Sequence, residues 1–169
     1  MRLELSPGSL NLLDLNPLIQ KNILSAAEAG GELIVGKAQR SYLSGPRPER
    51  LGVGTGKLRS HVTSKVEPGG PGVFATIVVG VPLQNVPYAA IHEYGGQTSP
   101  HRIEARRVPF LVFFWEKKGI WMKIRGVNHP GSKIPPRPYL SYAAIMSQGK
   151  VKDLLQSAVD RAYIQHKGK

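Results

Sequence analysis

The adjacent pair His92-Glu93 is the most obvious place in this sequence for acid–base or metal chemistry. A zinc-protease helix requires a second histidine four residues later, and that position is Gly96. Neighbouring side chains on a helix point about 100° apart, so His92 and Glu93 do not converge on one ligand. The other histidines lack metal-ligand spacing, and no nucleophile elbow occurs. We therefore expect a structural His92 and no enzyme activity; a small nuclease that depends on His92 is the weakest alternative.

The glycine-rich stretch 44–56, SGPRPERLGVGTG, superficially suggests a phosphate-binding loop. A Walker loop places glycine five residues before the Gly-Lys pair and Ser or Thr after it. Here these positions are Leu51 and Leu58. The chain also has no cysteine, which excludes thiol catalysis and disulfides. We expect no cofactor and no bound metal.

The sequence HPGSKIPPRPYL, from His129 to Leu140, has the composition of a rigid connection rather than a catalytic motif. Its three closely spaced prolines fix the backbone φ angle and remove three N–H donors, which excludes an interior strand. We call Ile134–Leu140 the strap. We expect it to dock the C-terminal helix onto the sheet and to border a subunit interface. Arg137 is its predicted anchor, through a carboxylate or a carbonyl oxygen.

Two amphipathic helices are predicted near the chain ends. The first begins at Asn16-Pro17, with Asn16 as N-cap, and runs to about Tyr42. Its small and apolar residues recur at helical spacing, but it includes Gly30, Gly31 and Gly36. These glycines indicate a close helix crossing, a bend, or a weak helix held by tertiary contacts, and we slightly favour the weak helix. The second helix opens at Pro138.

Between the helices, the pattern predicts two hairpins separated by a short helix. The segments are 62–67 with 73–81, the helix 87–94 ended by Gly95-Gly96, and 110–115 with 120–125. In the second hairpin, Ile120, Met122 and Ile124 are expected to face the core. This order predicts an α+β fold: an antiparallel sheet of about four strands packed against a long N-terminal and a long C-terminal helix.

We expect one domain, 1–169, with three less compact parts: an N-terminal arm (1–15), a long basic loop (97–109) and a frayed tail (166–169). A loop as long as 97–109 inside a compact domain is usually functional or disordered. It contains Arg102, Arg106 and Arg107, which we expect to contact a partner or DNA.

The net charge of +12 is unevenly distributed. Residues 1–40 carry four basic and four acidic side chains, whereas residues 111–150 carry seven and one. A basic surface attracts DNA or an acidic protein face. No apolar run reaches the roughly 18 residues of a transmembrane helix, and the N-terminus has no clear secretory signal.

Four segments in this order resemble one known family. They are LSGPRPERLGVGTGKLRSHV (43–62), YAAIHEYGG (88–96), the aromatic hairpin ending near Arg125, and HPGSKIPPRPYL (129–140). The chain is similar here to the head–tail joining, or tail-completion, proteins of tailed bacteriophages, also called virion morphogenesis proteins. That family typically has Phe where Tyr94 and Tyr139 stand. Residues 1–15 and 97–109 lie outside the resemblance.

The resemblance implies a non-enzymatic neck subunit of the virion head–tail junction, present in the host cytoplasm during assembly. Its implied partners are further copies in a hexameric ring, the connector or adaptor, the tail terminator or tail tube, and genomic DNA passing non-specifically; no membrane is implied. A basic, non-specific DNA-binding module is the alternative. The residues expected to form the interface or structural motif are His92, Glu93, Tyr94, Gly95, His129, Pro130, Gly131, Pro136, Arg137 and Pro138.

Overall fold

The computed structural model describes residues 2–5, 17–45, 51–68 and 75–167. The helices are α1 Pro17–Lys37, α2 Lys57–Ser60, α3 Ala89–Tyr94 and α4 Leu140–Lys167, with a π-helical turn at Ala38–Tyr42. The strands are β1 Arg2–Leu5, β2 Thr63–Pro68, β3 Ala75–Gly80, β4 Gly96–Gln97, β5 His101–Glu104, β6 Leu111–Trp115, β7 Ile120–Ile124, β8 Gly126–His129 and β9 Lys133–Ile134. The predicted α+β class, with antiparallel strands packed against N- and C-terminal helices, is confirmed.

The core lies between α1, α4 and a three-stranded antiparallel sheet of order β1–β3–β2. The central strand β3 buries Ala75, Ile77 and Val79 completely or nearly so. Thr76, on its other face, is also buried, as expected for a strand covered on both sides. The first predicted hairpin is therefore confirmed, although its turn and Phe74 lie outside the described residues.

Part of the predicted N-terminal arm is a strand. Residues 2–5 form β1, which pairs with β3 from Arg2 opposite Val78 to Leu5 opposite Ala75. These four residues, Arg2 to Leu5, alternate polar and apolar as a half-buried strand does, and we missed that signal in the sequence. The predicted N-cap Asn16 lies outside the described residues, but α1 does begin at Pro17.

Helix α1 comes very close to its neighbours at two of its glycines. A Cβ atom on Gly30 would lie 3.1 Å from Val151 of α4, and one on Gly31 would lie 2.8 Å from the Cβ atom of Ser64 in β2. Close packing therefore explains both glycines, and the weak-helix interpretation that we favoured is wrong for them. The helix gives up propensity at these positions to approach α4 and the sheet.

The second predicted hairpin does not join the main sheet. Instead, β4 pairs with β9, β5 with β8 and β6 with β7, all antiparallel. These pairs follow one another along a single two-stranded structure, residues 96–134, which we call the ribbon; residues 111–124 are the ribbon tip. Within the described part of the chain, β5–β8 make their extensive contacts with one another rather than with the helices or the main sheet.

The long loop predicted at 97–109 is thus partly strand, because Gln97 belongs to β4 and His101–Glu104 form β5. Glu104 pairs with Gly126 and Leu111 with Ile124, so six residues on one strand face a single residue on the other. The five extra residues, 106–110, form a bulge between the β5–β8 pair and the ribbon tip. Ile120, expected in the core, is exposed, because the tip has no core behind it.

We predict opposite effects of alanine at two helical glycines. Gly31→Ala should lower the free energy of unfolding by about 1–3 kcal/mol, because the Ser64 Cβ is attached to the backbone and cannot rotate away. Gly149→Ala should raise it by up to about 1 kcal/mol, because nothing lies within 4 Å of the added carbon. Urea denaturation measures both; a stabilising Gly31→Ala would contradict the close packing.

Candidate functional site

Glu93 caps the N-terminus of α4 from a different helix. Its side chain is 4% exposed. One carboxylate oxygen accepts the backbone N–H groups of Tyr139 and Leu140 at 2.8 and 3.0 Å. The other accepts the N–H of Ser141 at 2.9 Å and its hydroxyl at 2.6 Å. A carboxylate at this position satisfies donors that have no partner within the helix, and its charge complements the helix dipole.

The strap is fixed to the end of α3 by backbone contacts. The N–H of Arg137 donates to the carbonyl oxygen of His92 at 2.8 Å. Gly95 has a φ of 72°, and a Cβ atom there would lie 2.9 Å from the ring of Pro136. Only glycine combines this left-handed turn with so close an approach. Arg137 does hold the strap, but through its backbone; among the described residues its guanidinium has no hydrogen bond.

Tyr139 packs at the centre of this junction. It is 1% exposed, and its hydroxyl reaches the carbonyl oxygen of Ala89 at 3.5 Å. Burial raises the pKa of the Tyr139 hydroxyl well above its ordinary value, and the Glu93 carboxylate adds to the increase. Both effects favour the neutral phenol. The ring thus joins α3, the strap and the main core in one packed unit.

The predicted turn His129–Gly131 lies at the base of the ribbon, away from the Glu93 cap. The His129 ring stacks on His101, with 5.2 Å between centroids, and its Nδ1 accepts the N–H of Gly131 at 3.1 Å. Gly131 has a φ of 90°, and a Cβ atom there would collide with the Thr98 carbonyl oxygen. This motif shapes the ribbon, whereas His92–Gly95 and Pro136–Pro138 form the junction with α4.

The remaining predicted residues are at the surface. Tyr94 is 76% exposed. Arg102 is exposed and donates to Glu104 at 2.7 Å and to Asn128 at 3.3 Å. Arg106 and Arg107 are exposed in the five-residue bulge. The whole ribbon carries eight basic and two acidic side chains, a net charge of +6.

The ribbon tip exposes a large apolar surface. Val112, Phe114 and Trp121 are 63%, 47% and 71% exposed. Phe114 is paired with Trp121 across the strands, and their rings are 5.6 Å apart between centroids. Trp115 and Ile120, the next pair, are exposed as well. From the sequence, we placed this hairpin against the core and therefore did not predict that these apolar side chains are exposed.

A cleft of about 300 Å³ opens beside the strap. It is bounded by the loop 51–56 and by α2, and the side of α3 and the strap contributes Tyr88, His92 and Arg137. Its charged lining residues are all basic: Lys57, Arg59 and Arg137. The glycine-rich loop therefore lines a positively charged recess, although it lacks a Walker sequence.

In the described ranges, no group of three or more His, Asp or Glu side chains is arranged to hold a metal ion. Nor is any helix in these ranges both long and apolar enough to cross a membrane. Comparisons with protein-family models, with curated proteins and with solved structures gave no match.

Loss of the Glu93 cap should destabilise the fold strongly. We expect Glu93→Ala to lower the free energy of unfolding by about 3 kcal/mol or more, since each buried donor left without a partner costs about 1–3 kcal/mol. Glu93→Gln should lower the free energy of unfolding by an intermediate amount, because its single amide oxygen can accept only one of the two sets of hydrogen bonds. Denaturant unfolding provides the measurement.

Glu104→Ala is the matched control. This side chain is 62% exposed, and its ion pair with Arg102 should contribute less than about 1 kcal/mol. If both substitutions lowered the free energy of unfolding equally, the buried cap would contribute no more to stability than an exposed ion pair.

Proposed function

We propose that this protein is a structural subunit of the tailed-phage head–tail junction, a neck or tail-completion protein. In this proposal, copies form a ring around the DNA channel and join the connector to the tail. The proposal follows the resemblance of residues 43–62, 88–96 and 129–140 to that family. It is supported by the hydrogen bonds that join two of these segments, since Glu93 of 88–96 binds the backbone at the end of the strap in 129–140 and at the start of α4.

The exposed apolar ribbon tip is the observation that carries the proposal. A lone two-stranded hairpin is marginally stable in water and needs a further packing surface. Here Phe114 and Trp121 stand exposed at the tip. Contiguous exposed apolar side chains on a protein mark an interaction site. A subunit whose work is to bind its neighbours in an assembly accounts for this surface.

The positive charge fits the same role. DNA passing through a channel requires a wall that attracts phosphates without reading bases, because base contacts would resist movement. The ribbon has a net charge of +6, and Arg106 and Arg107 project from its bulge. The same charge favours the second candidate function, a basic module that binds DNA non-specifically outside any ring.

We predict that phage particles require both the protein and its ribbon tip. Without the protein, infected cells should accumulate heads and tails that are not joined into infectious particles. Phe114→Ser with Trp121→Ser should lower the titre by more than about tenfold, because truncating buried interface aromatics costs about 2 kcal/mol or more. Complementation titres and cryo-electron microscopy of the particles measure these effects.

Leu83→Ser is the control, since Leu83 is 56% exposed but lies outside the ribbon. It should leave the titre unchanged. Normal particles in the complete absence of the protein would rule out the neck role.

The DNA-binding alternative makes a different prediction. If isolated protein binds duplex DNA, Arg102→Ala, Arg106→Ala and Arg107→Ala together should weaken binding, and the affinity should fall steeply with salt, as phosphate contacts require. Gel shifts at low and physiological salt test this, with Arg59→Ala as a basic residue outside the ribbon. Tight binding at physiological salt, combined with normal particle assembly without the protein, would favour the alternative function.

A further inference from the structure

Helix α4 has a second exposed apolar surface, opposite its buried side. The buried side contains Ala143, Ala144, Ser147, Val151, Ala158 and Ala162. At 3.6 residues per turn, the opposite side is formed by a different set. We call this set the outer face of α4: Tyr142, Ile145, Met146, Gly149, Asp153, Gln156, Asp160 and Ile164.

The outer face combines apolar and acidic side chains. Ile145, Met146 and Ile164 are 59%, 64% and 69% exposed. Asp153 and Asp160, the two acidic residues of α4, are also exposed and lie one above the other along the middle of this face. Of the helix's three lysines, Lys150 and Lys152 lie on its flanks, whereas Lys167, the last residue of α4, is in line with the outer face beyond Ile164. The face is therefore apolar with a central line of negative charge.

The ribbon tip has the complementary composition. Its exposed aromatic pair, Phe114 and Trp121, is accompanied by Lys117, Lys118 and Lys123, with Glu116 as the one acid in residues 111–124. Lys123 stands directly across from Val112, next to the aromatic pair on the same side of the ribbon. The tip is therefore apolar with a rim of positive charge.

We propose that the ribbon tip of one copy packs on the outer face of α4 of the next copy. The contact pairs Phe114 and Trp121 with the apolar residues of α4, and the tip lysines with Asp153 and Asp160. This inference rests on the proposed function, in which identical copies form a ring, and it specifies which surfaces meet.

Charge selects this head-to-tail arrangement over the symmetric ones. Two ribbon tips packed together would bring their lysines into contact, and two outer faces would align four aspartates; like charges at an interface disfavour both pairings. Packing the ribbon tip on the outer face of α4 instead brings opposite charges together. A contact between two different surfaces repeats from copy to copy and closes into a ring when the rotation permits.

The dimensions and attachment of the two surfaces suit this contact. A strand advances about 3.3 Å per residue, so the eleven paired positions along the ribbon give a reach of up to roughly 35 Å, enough to extend over part of a neighbouring copy. The receiving helix is held in place by the Glu93 cap at its N-terminus and by its packing on α1.

Cross-linking tests the contact directly, because the chain contains no cysteine. Val112→Cys places a thiol on the tip and Met146→Cys places one on the outer face; both side chains are more than 60% exposed, so the fold should tolerate the changes. The two variants are mixed in equal amounts, with different affinity tags, and treated with a short bismaleimide.

The expected main product is the mixed dimer, formed at least about tenfold more than either homodimer. A chain carrying both cysteines should give a ladder of multimers. Glu28→Cys, at an exposed position of α1, replaces Met146→Cys as the control and should give background yield. Predominant Val112→Cys homodimers, or a mixed yield equal to that of the control, would overturn the proposal.

Charge reversal gives an independent measurement. Asp153→Lys with Asp160→Lys on the helix partner should reduce the mixed dimer by about tenfold. Yield should return when the tip partner carries Lys117→Glu, Lys118→Glu and Lys123→Glu. Rescue excludes misfolding as the cause of the loss, whereas a failure of rescue would count against the charge pairing and the head-to-tail assignment.

The same double-cysteine chain separates this inference from the proposed function. If it is incorporated at the head–tail junction of particles but gives no ladder there, the neck function stands and the contact proposed here is wrong. If purified protein gives the ladder but particles neither contain nor need the protein, the contact stands and the neck function is wrong. No ladder in either setting overturns the contact.

Discussion

The buried carboxylate of Glu93 is the interaction on which the rest of the structure depends. It connects α3 to the first turn of α4 through Tyr139, Leu140 and Ser141. The ribbon leaves the body at Gly96, just after Glu93, and returns at Ile134, just before the strap. The cap therefore closes the base of the ribbon as well as the start of the helix. A buried charge is tolerable only where several donors surround it, and here four hydrogen bonds do so.

The body and the ribbon are stabilised in different ways. The body has a continuous core between α1, α4 and the three-stranded sheet, with glycines at the closest approaches. The ribbon relies on backbone pairing, on the Thr98–Ser132 and His101–His129 contacts near residues 96 and 134, and on the cross-strand pair Phe114–Trp121 at its tip. Stability in such a structure falls with distance from the core. The tip is therefore the part of the chain that gains most from packing on another surface.

The sequence predicted local structure well and the arrangement of the second hairpin poorly. Pro17, Gly95 and the apolar spacing of α1 and α4 determine boundaries through nearby atoms, and those boundaries were found within a few residues. The alternation of Ile120, Met122 and Ile124 is the same whether a hairpin packs on its own core or on another protein. It identified the less exposed side, since Met122 and Ile124 are half-buried, but it did not show that the hairpin stands apart from the main core. The Glu93 cap joins residues 46 positions apart along the chain. A single acidic residue near the end of a short helix carries no local sign of the helix end that it will satisfy.

The proposed contact gives a reason for a strongly basic chain to keep two of its eleven acidic residues on one helix face. Spread over the surface, Asp153 and Asp160 would do little beyond reducing the net charge. Placed in line between Met146 and Ile164, they make that face unlike any part of the ribbon. If the two surfaces were only apolar, the ribbon tips of two copies could also pack on each other, and the copies would associate without a defined arrangement. Opposite charge on otherwise similar apolar surfaces raises the free energy of the wrong pairings more than it lowers that of the right one, which is how specificity between identical chains is obtained.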